Sequence, residues 1–137
     1  MSLFDAIGIS SSGMTAQQLR VDVISNNIAN ANTTRTPEGG PYRREIPIFA
    51  ERFAATMNGV VPNGVKVVKV VEDKAPFQKI YDPTNPDADK DGYVKMPNVN
   101  VLREMVDLIA AQRSYEANAT VISNVKAMAS AAVQIGR

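Results

Sequence analysis

A chain of 137 residues has room for one ordinary domain, or for a small domain with long helical extensions. Its formal charge of +1 gives no electrostatic footprint for nucleic acid or an anionic membrane, and the lack of cysteine excludes a disulfide framework and thiolate metal sites. Histidine is absent too, which removes Ser-His and Cys-His nucleophilic machinery and the commonest zinc and iron ligand sets, so no catalytic, cofactor or metal site is expected.

The first segment, 1–34, reads as a helix. Ile7, Met14, Val21 and Ile28 recur every seven residues, with Leu3, Ile24 and Ala31 filling the intervening seam. Ser2 and Asp5 are spaced for a capping box. Gly8, Gly13 and the Ser10-Ser11-Ser12 run oppose the helix, each glycine by up to about 1 kcal/mol, so alone it should be marginal. GISSSGMT, Gly8 to Thr15, has the spacing of a phosphate-binding loop, but Met14 stands where the lysine belongs and no strand precedes it. The glycines are expected to permit a bend or close packing instead. With an acid at Asp5, no basic start and no sustained apolar core, no cleavable signal peptide is expected. The segment closes on SNNIANANTT, which holds Asn26, Asn27, Asn30 and Asn32. Asparagine buried in a helical seam must be hydrogen-bonded and fixes register. Asparagine and threonine equally suit a fraying helix end, and the cluster alone leaves both readings open.

The second segment, 35–97, contains all eight prolines. Arg43 to Phe49 and Gly64 to Glu72 are β-branched and partly alternating, and Phe77 to Tyr81 is a candidate third strand. Asn58-Gly59 and Asn63-Gly64 are turn signals. A small β-rich insert with loose loops at both ends follows. At its end DADKDGYV, Asp87 to Val94, imitates the opening of a calcium-binding EF-hand loop through Asp87, Asp89, Asp91 and Gly92. Position 12 of that loop is Asn98, where a bidentate glutamate is needed, and Pro83 and Pro86 forbid a regular entering helix. A solvated acidic turn leading into the last helix is the better reading.

The third segment, 98–137, carries the strongest structural signal. Asn98 or Asn100 can cap a helix that Gly136 would stop. Val101, Leu108, Tyr115, Ile122 and Ala129 recur every seven residues. Met105, Ala119 and Val133 supply much of a companion row, interrupted by Gln112 and Lys126, and a further stripe runs through Val121, Val125, Met128, Ala132 and Ile135. Polar residues among these exclude a membrane span. A helix apolar on several sides is buried on several sides, and so short a chain cannot supply all of that cover. The expected fold is mainly α: paired long, coiled-coil-like terminal helices flank a small β-rich middle domain, and other molecules complete the burial.

ISSSGMTAQQLRVDVISNNIANANT, Ile9 to Thr33, closely resembles the N-terminal signature of the axial proteins of the bacterial flagellum, the rod, hook and hook-associated subunits. EMVDLIAAQRSYEANATVI, Glu104 to Ile122, looks like that family's C-terminal run, and DPTNPDADKDGYVKMPNVN, Asp82 to Asn100, resembles the linker of a proximal rod subunit. The resemblance implies a structural subunit of the basal-body rod that polymerises into a helical tube and transmits torque from motor to hook. It implies export through the flagellar type III apparatus without a cleaved signal, assembly in the periplasm, and contacts with other rod subunits, with itself, and with ring and adaptor proteins at the rod base. No nucleic acid or small-molecule substrate is implied. On this basis the assembly seam is assigned to Ile7, Met14, Val21, Ile28, Val101, Leu108, Tyr115, Ile122 and Val125, and the register-setting polar contacts to Asn26, Asn27, Asn30 and Asn118. The competing expectation is a soluble coiled-coil adaptor or export chaperone.

Overall fold

The computed structural model describes residues 3–56 and 59–135. Helix α1 (Leu3–Ala29) and helix α2 (Val101–Ile135) flank two small antiparallel sheets. Strand β1 (Glu45–Thr56) pairs with β2 (Gly59–Glu72), and β3 (Gln78–Tyr81) with β4 (Tyr93–Met96).

Ser12, Thr15 and Ser25 turn their hydroxyls back onto the carbonyls of α1. Ser12 donates to Ile9 O at 2.7 Å, Thr15 to Ser11 O at 3.1 Å and Ser25 to Val21 O at 2.8 Å, so these donors are satisfied within the helix at a small cost to its stability. At the far end of the chain Asn100 caps α2, its Oδ1 accepting from Arg103 N–H at 3.0 Å. Ser2 and Gly136, expected at a cap and a stop, lie outside the described residues. The two helices run antiparallel: Asn27 meets Glu104, Arg20 meets Asp107, and Gly13 lies against Asn118. At 1.5 Å per residue, α2 is roughly 50 Å long.

The expected strands exist, and the hairpin is longer than its β-branched stretches suggested. Glu45 pairs with Glu72 at its base and Thr56 with Gly59 at its tip. Asn63-Gly64 does not turn the chain. The register passes from Glu51–Val65 to Phe53–Pro62, so these two residues bulge opposite one. Gly64 sits at φ +90°, and a Cβ there would lie 2.1 Å from Ser12 Oγ. That hydroxyl accepts the Val65 N–H at 3.1 Å and ties β2 to α1. The bulge is therefore a docking feature, and only glycine fits it. Asn58, part of the other turn signal, lies outside the described residues.

Strand β4 was not anticipated; it lies where the sequence suggested only a linker. It pairs with the expected third strand, with Tyr81 and Tyr93 edge-to-face at a centroid distance of 5.3 Å. The acidic turn between them is closed by its own side chains. Asp82 Oδ1 accepts from Thr84 N–H and Oγ1, and Asp89 Oδ1 accepts from the N–H groups of Asp91 and Tyr93. Asp87 holds Thr34 Oγ1 at 2.7 Å together with Arg35, anchoring the turn to the segment after α1.

The core is thin. Among the described residues the buried apolar side chains are Ala16, Val23, Ile24, Ala31, Val94, Val99, Ala111 and Val125, three of them alanine and none larger than isoleucine. Many larger apolar groups stay exposed on α2 and on the hairpin.

Candidate assembly interface

Three parts of the chain converge on one polar junction at the end of the helix pair. The Asn27 carboxamide is buried and uses all of its hydrogen-bonding capacity. Its Nδ2 donates to Glu45 O at 2.9 Å and to Glu104 Oε2 at 3.0 Å, while its Oδ1 accepts from Glu45 N–H at 2.8 Å and Tyr42 OH at 2.9 Å. Glu104 is 0% exposed, and its second oxygen accepts from Arg44 Nε at 2.6 Å. Arg44 continues toward Asp73 at 3.6 Å and Asp107 at 3.8 Å, and Asp107 also pairs with Arg20 at 3.3 Å. Asn98 closes the ring, accepting Arg44 N–H at 2.8 Å and donating to the carbonyls of Asp73 and Ala75. A buried carboxylate is tolerable only with such partners. Here α1, the root of the hairpin and the first turn of α2 supply them. Burial and the neighbouring carboxylates Glu45, Glu104 and Glu72 raise the Tyr42 hydroxyl to about 12, so it stays a neutral donor to Asn27.

Of the four asparagines assigned to register, Asn27 alone bonds across to the other helix. Asn30 donates to Asn26 O and Oδ1 at 3.0 Å and accepts from Thr33, which finishes the end of α1 locally. Asn118 donates to Ser114 O one turn back, while its carboxamide packs where a Cβ on Gly13 would be, 2.9 Å from Nδ2. Gly13 thus permits close packing, as one of its two sequence readings held. Gly8 has open space in the Cβ direction.

On α2 a covered set at Glu104, Leu108, Ala111, Tyr115, Asn118, Ile122, Val125 and Ala129 alternates in steps of four and three, with Asp107 and Ala119 half-buried beside it. Of the row expected from the sequence, Leu108, Tyr115, Ile122 and Ala129 are half-buried and Val101 is exposed. Of the companions expected, Met105 and Val133 are exposed and Ala119 is half-buried; the more deeply covered row is Glu104, Ala111, Asn118 and Val125. Apolarity favoured the wrong neighbour because two of the true positions, Glu104 and Asn118, are polar, and Glu104 is satisfied by residues far away in the chain, Asn27 and Arg44. Glu104, Arg44 and Asn98 were missed for that reason; the recurrence of Glu104, Ala111, Asn118 and Val125 every seven residues was the available signal. On α1, Ile7, Met14, Val21 and Ile28 are half-buried, flanking a more deeply covered set that includes Ser10, Ala16, Val23, Ile24 and Asn27. Met14 and Tyr115 line one shallow depression between the helices.

The pairing leaves apolar surface open on α2. Val101 is exposed, and Leu102, Met105, Val106 and Ile109 form a stripe at steps of three, one and three on the side away from the covered rows. Val121 and Met128, expected in the further stripe, are also exposed, as is Ile135, whereas Val125 is buried. Among the described residues, no helix is long and apolar enough to cross a membrane.

Residues 7–35 match a family described as flagella basal body rod protein, and residues 90–135 one described as flagellar basal body rod FlgEFG protein C-terminal. The chain is 48% identical to the flagellar basal-body rod protein FlgC of Borreliella burgdorferi, with 98% of each chain covered. It is 44% identical to the protein of that name from Bacillus subtilis and 42% identical to that from Escherichia coli O157:H7, each over 100% of both chains.

Proposed function

The chain belongs to the FlgC family of flagellar basal-body rod proteins, and we propose that it polymerises with other rod subunits into the proximal part of the drive shaft that carries torque from motor to hook. Its role is structural and not enzymatic. The observation that carries the assembly reading is the stripe of large apolar side chains on α2, Leu102, Met105, Val106 and Ile109, which the chain's own fold leaves uncovered. Burial of that surface against neighbours offsets the entropy lost in ordering long helices over a thin core. Heterologous contacts repeated about an axis generate a helical tube.

In this reading the two helices form a coiled-coil-like pair. Ile7, Met14, Val21, Ile28, Val101, Leu108, Tyr115, Ile122 and Val125 make up its seam and rim, and Asn26, Asn27, Asn30 and Asn118 set its register and ends. The subunit is exported by the flagellar type III apparatus without a cleaved signal, assembles in the periplasm, and meets ring and adaptor proteins at the rod base. The test is to tag the chain in a bacterium that carries its gene, purify intact basal bodies, and locate the tag by cryo-electron microscopy. Density in the rod is expected; basal bodies that lack the chain would sink the reading.

A further inference from the structure

With no cysteine, histidine or tryptophan, the chain offers an oxidant little besides the thioethers of its six methionines. Met1 and Met57 lie outside the described residues. The other four fall into two classes. Met14 is half-buried on α1, in the depression it shares with Tyr115, and Met96 is half-buried on β4. Met105 and Met128, both on α2, are 51% and 55% exposed.

The two exposed thioethers differ in their company. Met105 has Leu102 one turn before it, Ile109 one turn after it and Val106 next to it, so it occupies the middle of the open apolar stripe. Met128 lies far along the helix from that stripe. A thioether suits a surface that is to be covered, because it is unbranched, polarizable and adapts to the shape it meets. A sulfoxide does not: its S–O dipole accepts hydrogen bonds from water and must give them up on burial.

We propose that Met105 is an oxidation site that controls assembly, with a peroxide as the oxidant and the unassembled chain as the target, an inference that rests on the rod-subunit reading because its effect comes from burial of that stripe. The sulfur lone pair attacks one peroxide oxygen, the S–O bond forms as the O–O bond breaks, and the other oxygen of hydrogen peroxide leaves as water. Sulfur is oxidised, the peroxide is reduced, and the sulfoxide can be returned to the thioether by methionine sulfoxide reductases. Both forms of so exposed a side chain meet water in the free chain, so oxidation leaves its fold intact and acts only against a neighbour. Assembly in turn covers Met105 and removes it from the oxidant.

The test exposes the purified chain to a limiting dose of hydrogen peroxide and reads sulfoxide at each methionine by peptide mass spectrometry. Met105 and Met128 are expected to oxidise several-fold ahead of Met14 and Met96, with no change in the urea midpoint. In purified intact basal bodies the same dose should oxidise Met105 several-fold less than in the free chain. Met105→Gln places a polar carbonyl in the stripe, whereas Met105→Leu keeps the apolar bulk and cannot be oxidised. With both variants checked for a wild-type urea midpoint, the glutamine form is expected to enter basal bodies several-fold less than the leucine form. Oxidation of Met105 no faster than that of Met14 and Met96, unfolding of the oxidised chain, or equal incorporation of the two variants would each overturn the proposal. Basal bodies without the unmodified chain would overturn the rod reading and this proposal with it. A chain that enters the rod with Met105 as reactive as in free solution keeps the rod reading and loses the oxidation control.

Discussion

Asn27 and Glu104, 77 positions apart in the chain, share a 3.0 Å hydrogen bond with both side chains almost wholly buried. Asn27 belongs to the asparagine-rich end of α1, Glu104 to the first turn of α2, and the hairpin root joins them through Glu45, Tyr42 and Arg44. A bond between the two terminal segments thus depends on the middle of the chain being folded. This couples the ordering of both helices to the insert.

Glu104→Ala removes the acceptor of both Arg44 and Asn27 and leaves a largely buried guanidinium without its closest partner. The expected loss is about 3–5 kcal/mol, the range for breaking a buried pair by deleting one member. Glu104→Gln keeps an acceptor and should cost less. Urea midpoints of the three proteins check the order; an alanine variant as stable as the wild type would show that the junction contributes nothing to folding.

The legibility of this junction was uneven, for identifiable reasons. Helix boundaries and the Leu108–Tyr115–Ile122 row were readable because a seven-residue period is local information. The burial of Glu104 was not, because it depends on Arg44 and Asn27, far away in the chain. Asn63-Gly64 carries the same two letters as a hairpin turn, and only the position of Ser12 shows that it is a bulge. Strand β4 has just four residues, YVKM, directly after an acidic turn, too short for alternation to register.

Tyr42 gives stability a pH dependence on the alkaline side. Its folded value, about 12, lies above the ordinary 10.0, so the contribution of its neutral hydroxyl is complete below about 10 and is lost as pH rises toward 12. Tyr42→Phe should lower stability at neutral pH, by loss of the bond to Asn27, and flatten the decline above pH 10 relative to wild type. On the acid side Asp87 is lowered by its Thr34 hydrogen bond and by Arg35. Its contribution is present above 3.8 and is lost as pH falls below that value, a dependence that Asp87→Asn should remove. Chemical denaturation across pH, compared between variant and parent, reads both; parallel curves would contradict the assignments.

Two glycine substitutions should move stability in opposite directions. Gly64→Ala places a Cβ against Ser12 Oγ at a backbone angle that side chains rarely adopt, and should cost about 2 kcal/mol or more. Gly8→Ala meets nothing within 4 Å inside a helix and should gain about 0.5–1 kcal/mol. Thermal unfolding of the pair is a direct check, and a stabilising Gly64→Ala would remove the argument that the bulge docks β2 on α1.

Assembly can be separated from folding by choosing the face of α2 that is changed. Aspartate at Leu108 or Ile122 enters the covered row and should unfold the helix pair, so a missing rod would then say nothing about interfaces. Leu102 and Ile109 lie one heptad apart on the open stripe and are 74% and 57% exposed. Leu102→Asp and Ile109→Asp should therefore change the stability of the isolated chain by no more than about 0.5 kcal/mol each. In a rod subunit the same pair buries two carboxylates against a neighbour, and incorporation into basal bodies should fail although the protein is made and exported. A soluble adaptor of fixed oligomeric state would behave differently at this face: if the stripe is solvated in its working state, the double variant keeps its sedimentation profile and its function. Normal rods containing the double variant would exclude this stripe from the assembly interface, and the uncovered surface would then have to be explained by a different partner.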